Sequence, residues 1–163
     1  MSAKPQDFLK NIRISQKMII AVDFDGTIVE HKYPKIGKEI PFATDTLKRF
    51  LADHHTLILW SVREGRLLKE AVDWCHERGV DFYAVNSNHP EEYYEGEEHP
   101  TAPRKLKADL FIDDRNLGGL PDWGVIYQIV SEGLTFREYY LNQSGQEASA
   151  GRKSFWSRLK ASR

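Results

Sequence analysis

The stretch that most constrains how this chain folds is Ile19-Ile20-Ala21-Val22-Asp23-Phe24-Asp25-Gly26-Thr27. An apolar run too short for an ordinary helix, closed by two carboxylates, a glycine and a hydroxyl, predicts a buried parallel strand that delivers polar groups at its carboxyl end. Open α/β sheets bind their ligands at that end. Successive side chains of an extended chain alternate faces, so Asp23 and Asp25 point the same way and Phe24 turns into packing. Their separation would be roughly 7 Å at about 3.3 Å per residue, room for a tetrahedral phosphoryl group between them. Gly26 permits the sharp turn that follows.

The pattern recurs. Thr56-Leu57-Ile58-Leu59-Trp60-Ser61 is a second apolar strand ending in a hydroxyl, Val80 to Val85 a third, and Asp109-Leu110-Phe111-Ile112-Asp113-Asp114 a fourth ending in paired carboxylates. Gly124 to Val130 reads as a fifth. Between them, Ala43, Leu47, Phe50 and Leu51 recur at helical spacing after Pro41, predicting a helix over Phe42 to Asp53. Leu67, Leu68, Ala71, Val72 and Cys75 line a second helix that Gly79 ends, and Phe136, Tyr139 and Tyr140 suggest a closing one. Strands alternating with helices predict an α/β fold, a parallel five-stranded sheet covered on both faces. The polar segment Val29 to Ile40 is a flap, and Asn86 to Lys107 a long loop rich in glutamate.

At 163 residues the chain suits one domain. The expected division is an N-terminal extension over 1–17, the α/β domain over 18–143 and a flexible basic tail over 144–163. In that tail Phe155, Trp156 and Leu159 among basic residues suit weak contact with an anionic membrane or a partner protein. Lys plus Arg number 23 against 24 Asp plus Glu, which argues against a strongly basic nucleic-acid binder. The one cysteine, Cys75, is placed in the core by its apolar helical position and fits a reducing compartment. The longest N-terminal apolar run, Met18 to Val22, is too short for a signal peptide or a membrane span, so the expected location is cytoplasmic.

Asp23-Phe24-Asp25-Gly26-Thr27 resembles the first motif of the haloacid dehalogenase-like hydrolases, mostly magnesium-dependent phosphatases, and the later motifs follow in order. From about Met18 to Leu141 the chain is similar to small capless members of that superfamily in Bacteroides-type bacteria. The resemblance implies a Rossmann-like core and a catalytic set of Asp23, Asp25, Ser61 and Lys105. Asp23 would be the nucleophile that forms an aspartyl phosphate, and Asp25 the acid and base. Ser61 would bond a phosphoryl oxygen, and Lys105 or Lys107 would neutralise it. Magnesium would be held by the Asp23 carboxylate, the Asp25 backbone carbonyl and Asp113, with Asp114 acting through water or orienting a neighbour.

Thr27 is a further candidate for support of the site, and Arg63 for holding a second anionic group of the substrate. Arg115 and Asn116 would support the site or begin a turn, and His31 lies in the flap. The reading is a phosphomonoesterase acting on a small phosphorylated metabolite such as a nucleotide or sugar phosphate. The alternatives are a nucleic-acid end phosphatase, which the acidic run Glu91 to Glu98 disfavours by repelling a polyanion, and a non-catalytic binding protein with the same fold. A receiver domain, which also forms an aspartyl phosphate, is disfavoured by the order of the motifs.

Overall fold

The computed structural model describes residues 16–91 and 105–144. Most of the N-terminal extension, of the acidic loop and of the basic tail lies outside these residues. Seven elements are β1 Ile19–Val22, α1 Ala43–Ala52, β2 Thr56–Leu59, α2 Gly65–His76, β3 Ala84–Val85, β4 Leu110–Ile112 and α3 Trp123–Glu132. Residues 136–144 form a further helix, α4. The chain divides into a body of residues 16–126 and a C-terminal unit that begins at Tyr127, within α3.

In the body, four strands form a parallel sheet in the order β3-β2-β1-β4. Val22 of β1 is level with Leu59 of β2 and with Ile112 of β4. The register ends these three strands together, so the residues that follow each of them emerge on one rim. Alternation buries both faces: Ile20, Val22, Leu57 and Leu59 on one side, Ala21, Ile58 and Ala84 with Leu106 on the other. Phe24 continues the first face and meets Trp74 of α2 edge-on at 5.7 Å.

Among the described residues the sheet has four strands where five were expected. Gly124 to Val130 is helical. Trp123, Ile126 and Val130 fall at i, i+3 and i+7, a helical stripe, and the Asp122 carboxylate accepts the Val125 N–H at 3.0 Å to cap the first turn. Gly133, at φ 61°, ends the helix. The β-branched run Val125, Ile126, Ile129, Val130 matches a buried strand equally well by composition. The third strand is likewise shorter than Val80 to Val85. Both predicted helices of the body form, within a residue or two of their expected limits.

The flap, residues 29–40, folds back on the end of β1. The Glu30 N–H donates to the Lys38 carbonyl at 2.7 Å and the Ile40 N–H to Ile28 at 2.9 Å. Gly37 is required there, because any Cβ would collide with the Glu30 carbonyl. Cys75 is fully buried, and burial pushes its thiol up to about 12, which makes it an inert core residue. In the C-terminal unit, α4 opens with a capping box: Thr135 accepts the Glu138 N–H at 3.2 Å, and Glu138 accepts the Thr135 N–H at 2.8 Å. No helix among the described residues is long and apolar enough to cross a membrane.

Candidate active site

The chain winds outward from β1 through β2 to β3, and β4 then pairs on the other side of β1. Strand order therefore reverses between β1 and β4, and loops leaving the two strands in opposite directions open a crevice at their carboxyl ends. Asp23 follows β1, and Asp113 and Asp114 follow β4. Carboxylate oxygens of the three lie within 4.8 Å of one another.

That crowding has an electrostatic consequence. Desolvation, with the charges of Asp113, Asp114 and Asp25, pushes the Asp23 carboxyl from 3.8 up to about 7, against a lowering hydrogen bond with the Phe24 backbone. Asp113 Oδ1 accepts the Arg115 N–H at 2.8 Å, and the Asn116 N–H reaches the Asp113 carbonyl at 3.3 Å. Asp114 Oδ1 is buried without a hydrogen-bond partner. A buried carboxylate oxygen left unpaired among like charges is costly, and an all-oxygen set of this kind fits a hard divalent cation.

Gly26 and Thr27 hold the cluster together. Gly26 has φ 91°, and a Cβ there would collide with the Asp114 carboxylate. The glycine thus serves both the turn and the close approach of β4. Thr27, fully buried, accepts the Asp114 N–H at 3.0 Å and is 3.5 Å from Asp23 Oδ2. Its carbonyl accepts the indole N–H of buried Trp123 at 3.1 Å.

Ser61, at the end of β2, is buried. Its Oγ accepts the Arg63 N–H at 3.2 Å, which leaves its own O–H to donate. Asn86, just past β3, clamps the Ser61 backbone from both sides, accepting its N–H at 2.8 Å and donating to its carbonyl at 2.9 Å. Asn86 sits at φ 52°, a conformation asparagine tolerates.

Arg63 departs from expectation. It is fully buried, and its Nε and Nη2 bond the two Asp25 oxygens at 2.5 and 2.7 Å. These bonds raise the guanidinium above its ordinary value. Arg63 is therefore committed to Asp25 and does not reach out to a second substrate anion.

Lys105 and Lys107 are both exposed, and neither pairs with the cluster among the described residues. The Lys105 ammonium lies 5.9 Å from the Phe111 ring centre. The Lys107 backbone N–H bonds Asn88. His31 is exposed in the flap.

Sequence pattern alone did not single out Asn86 or Trp123. Asn86 carried a usable signal, being a polar residue directly after an apolar strand, as Asp23 and Ser61 are. Trp123 carried none, since its partner is a backbone carbonyl far away in the chain.

No protein-family model and no curated protein matches the chain. A solved structure does: a conserved protein from Bacteroides thetaiotaomicron is 61% identical, over 77% of this chain and 98% of that one, with a TM-score of 0.68. Identity at that level over nearly the whole of the other chain means that this chain belongs to the same family as that conserved Bacteroides thetaiotaomicron protein.

Proposed function

We propose that the protein is a magnesium-dependent phosphomonoesterase with a capless haloacid dehalogenase-like core, acting through an aspartyl phosphate on a small phosphorylated metabolite. One observation carries the reading: carboxylates from two distant segments, Asp23 and the pair Asp113-Asp114, converge within 4.8 Å at the point where strand order reverses. Asp25 and Ser61 follow β1 and β2 on the same rim.

Asp23, Asp113 and Asp114 would hold the ion, with the Asp25 carbonyl as a further donor. Magnesium, when bound, supplies positive charge that offsets the phosphoryl oxygens and keeps Asp23 ionised. The Asp23 carboxylate attacks phosphorus as the bond to the leaving oxygen breaks, and Asp25 gives that oxygen a proton. Ser61 O–H donates to a phosphoryl oxygen, and Lys105 adds charge as the negative oxygens draw together. Asp25 then takes a proton from water, which attacks phosphorus, releases inorganic phosphate and restores Asp23. A soluble metabolite as substrate and a lone buried thiol both suit the cytoplasm.

The test is phosphate release by purified protein from a panel of phosphomonoesters with and without magnesium. The expected result is turnover that needs the metal and falls by at least about 10³-fold in Asp23→Asn. No release from any monoester by the wild-type protein would refute the reading.

A further inference from the structure

We propose that Arg63 is a positioning residue that couples the flap to Asp25, so that seating residues 33–35 and aiming the carboxylate are one event. The proposal rests on the phosphatase reading for the role of Asp25. Its geometry stands apart from that reading.

The Arg63 guanidinium divides its bonds between two places. Nε and Nη2 hold Asp25 Oδ2 and Oδ1 at 2.5 and 2.7 Å. Nη1 donates to the Pro34 carbonyl at 3.1 Å, and Nη2 to the Lys35 carbonyl at 3.0 Å. The guanidinium carbon lies 5.1 Å from the Phe24 ring centre and 5.4 Å from that of Tyr33. The arginine's own backbone is tied to Ser61 Oγ. One buried side chain from the loop after β2 thus joins the end of β1 to three successive flap residues.

A carboxylate on a short side chain turns broadly about its last torsion. A two-pronged guanidinium removes that freedom, and each aspartate oxygen keeps a further lone pair for a proton in transit. Because the same group holds the Pro34 and Lys35 carbonyls, displacement of the flap loosens the fork, and loss of the fork frees the flap. Burying a cation this completely is not needed for stability, since well-packed apolar residues often serve as well. What the fork adds is direction.

The experiment measures kcat and KM on an aryl phosphate with magnesium for wild type, Arg63→Lys, Asp25→Asn and the double variant. Alongside it, amide exchange over residues 29–40 is followed in each protein by mass spectrometry. Lysine keeps the charge but not the fork. Arg63→Lys is expected to lower kcat about 10- to 100-fold, the cost of a misplaced reacting group, with KM within about threefold. The double variant is expected to be no more than about twofold slower than Asp25→Asn, because a residue acting through another adds nothing once that other is gone. Flap exchange should speed up about tenfold or more in both single variants. Asp25→Asn makes that measurement decisive even if Arg63→Lys does not fold.

Multiplying losses in the double variant, or unchanged flap exchange in Asp25→Asn, would overturn the proposal. If wild type released no phosphate from any monoester, the phosphatase reading and the part given to Asp25 would fall, and the exchange data would still decide whether Arg63 ties the flap to β1.

Discussion

At Asp23, burial and three neighbouring carboxylates hold a proton that an exposed aspartate gives up, with the carboxyl raised from 3.8 to about 7. Between those values the folded protein binds more protons than the unfolded chain. The contribution of this group is therefore full below about pH 4 and is lost as pH rises through about 7. The metal-free protein is expected to melt at progressively lower temperature from pH 5 to pH 8, and Asp23→Asn to flatten that slope while abolishing turnover; thermal melts in chelator across pH check it. Gly26 is the second sensitive position. Gly26→Ala meets both the left-handed backbone cost of roughly 1–2 kcal/mol and a collision with the Asp114 carboxylate. Urea unfolding should show at least that loss, together with a smaller magnesium-induced rise in melting temperature than wild type shows. The motif was legible in the sequence as a turn glycine between aspartates. That the glycine also makes room for Asp114 was not, because that contact joins two strand ends far apart in the chain.

Among the elements, helix α1 starts from Phe42, which is two-thirds exposed and held at φ 67°. A bulky residue in the left-handed region is strained, so Phe42→Gly is expected to stabilise the protein by about 1 kcal/mol, seen as a higher urea midpoint with an unchanged slope. The ends of β2 and β3 behave oppositely. Asn86→Ala removes both bonds to the Ser61 backbone and should cost about 1–3 kcal/mol, with kcat falling more than KM rises as Ser61 loses its fixed position. The strands β1, β2 and β4 were legible because a short apolar run that ends in polar residues is too brief for a buried helix and suits a strand crossing the core. The segment 124–130 was not: β-branched residues at helical spacing satisfy both periods, and the choice fell to the Asp122 cap and the burial of Trp123. The inward turn of Arg63 was hidden for a related reason, since a lone arginine beside a site carries no mark of whether it faces the substrate or the core.

For the molecule as a whole, a cation held by the crowded carboxylates in the folded state alone would stabilise it by mass action. At about 100 times its dissociation constant, magnesium should add about 2.7 kcal/mol. That corresponds to roughly 5–10 °C in melting temperature at this chain length. A melt with magnesium at pH 7.5 tests this, and the rise should disappear in Asp113→Asn. By itself, the amino-acid sequence determined the α/β class, the strands that end in polar residues and the chemical types gathered at those ends, because these depend on local periodicity and on which side chains follow an apolar run. The tertiary structure alone decided that β4 lies beside β1, that three carboxylates share one crevice, and that Arg63 turns inward to Asp25 and the flap. Those outcomes depend on strand order and on contacts between residues far apart in the chain, where burial and hydrogen bonding outweigh anything a neighbouring residue can signal.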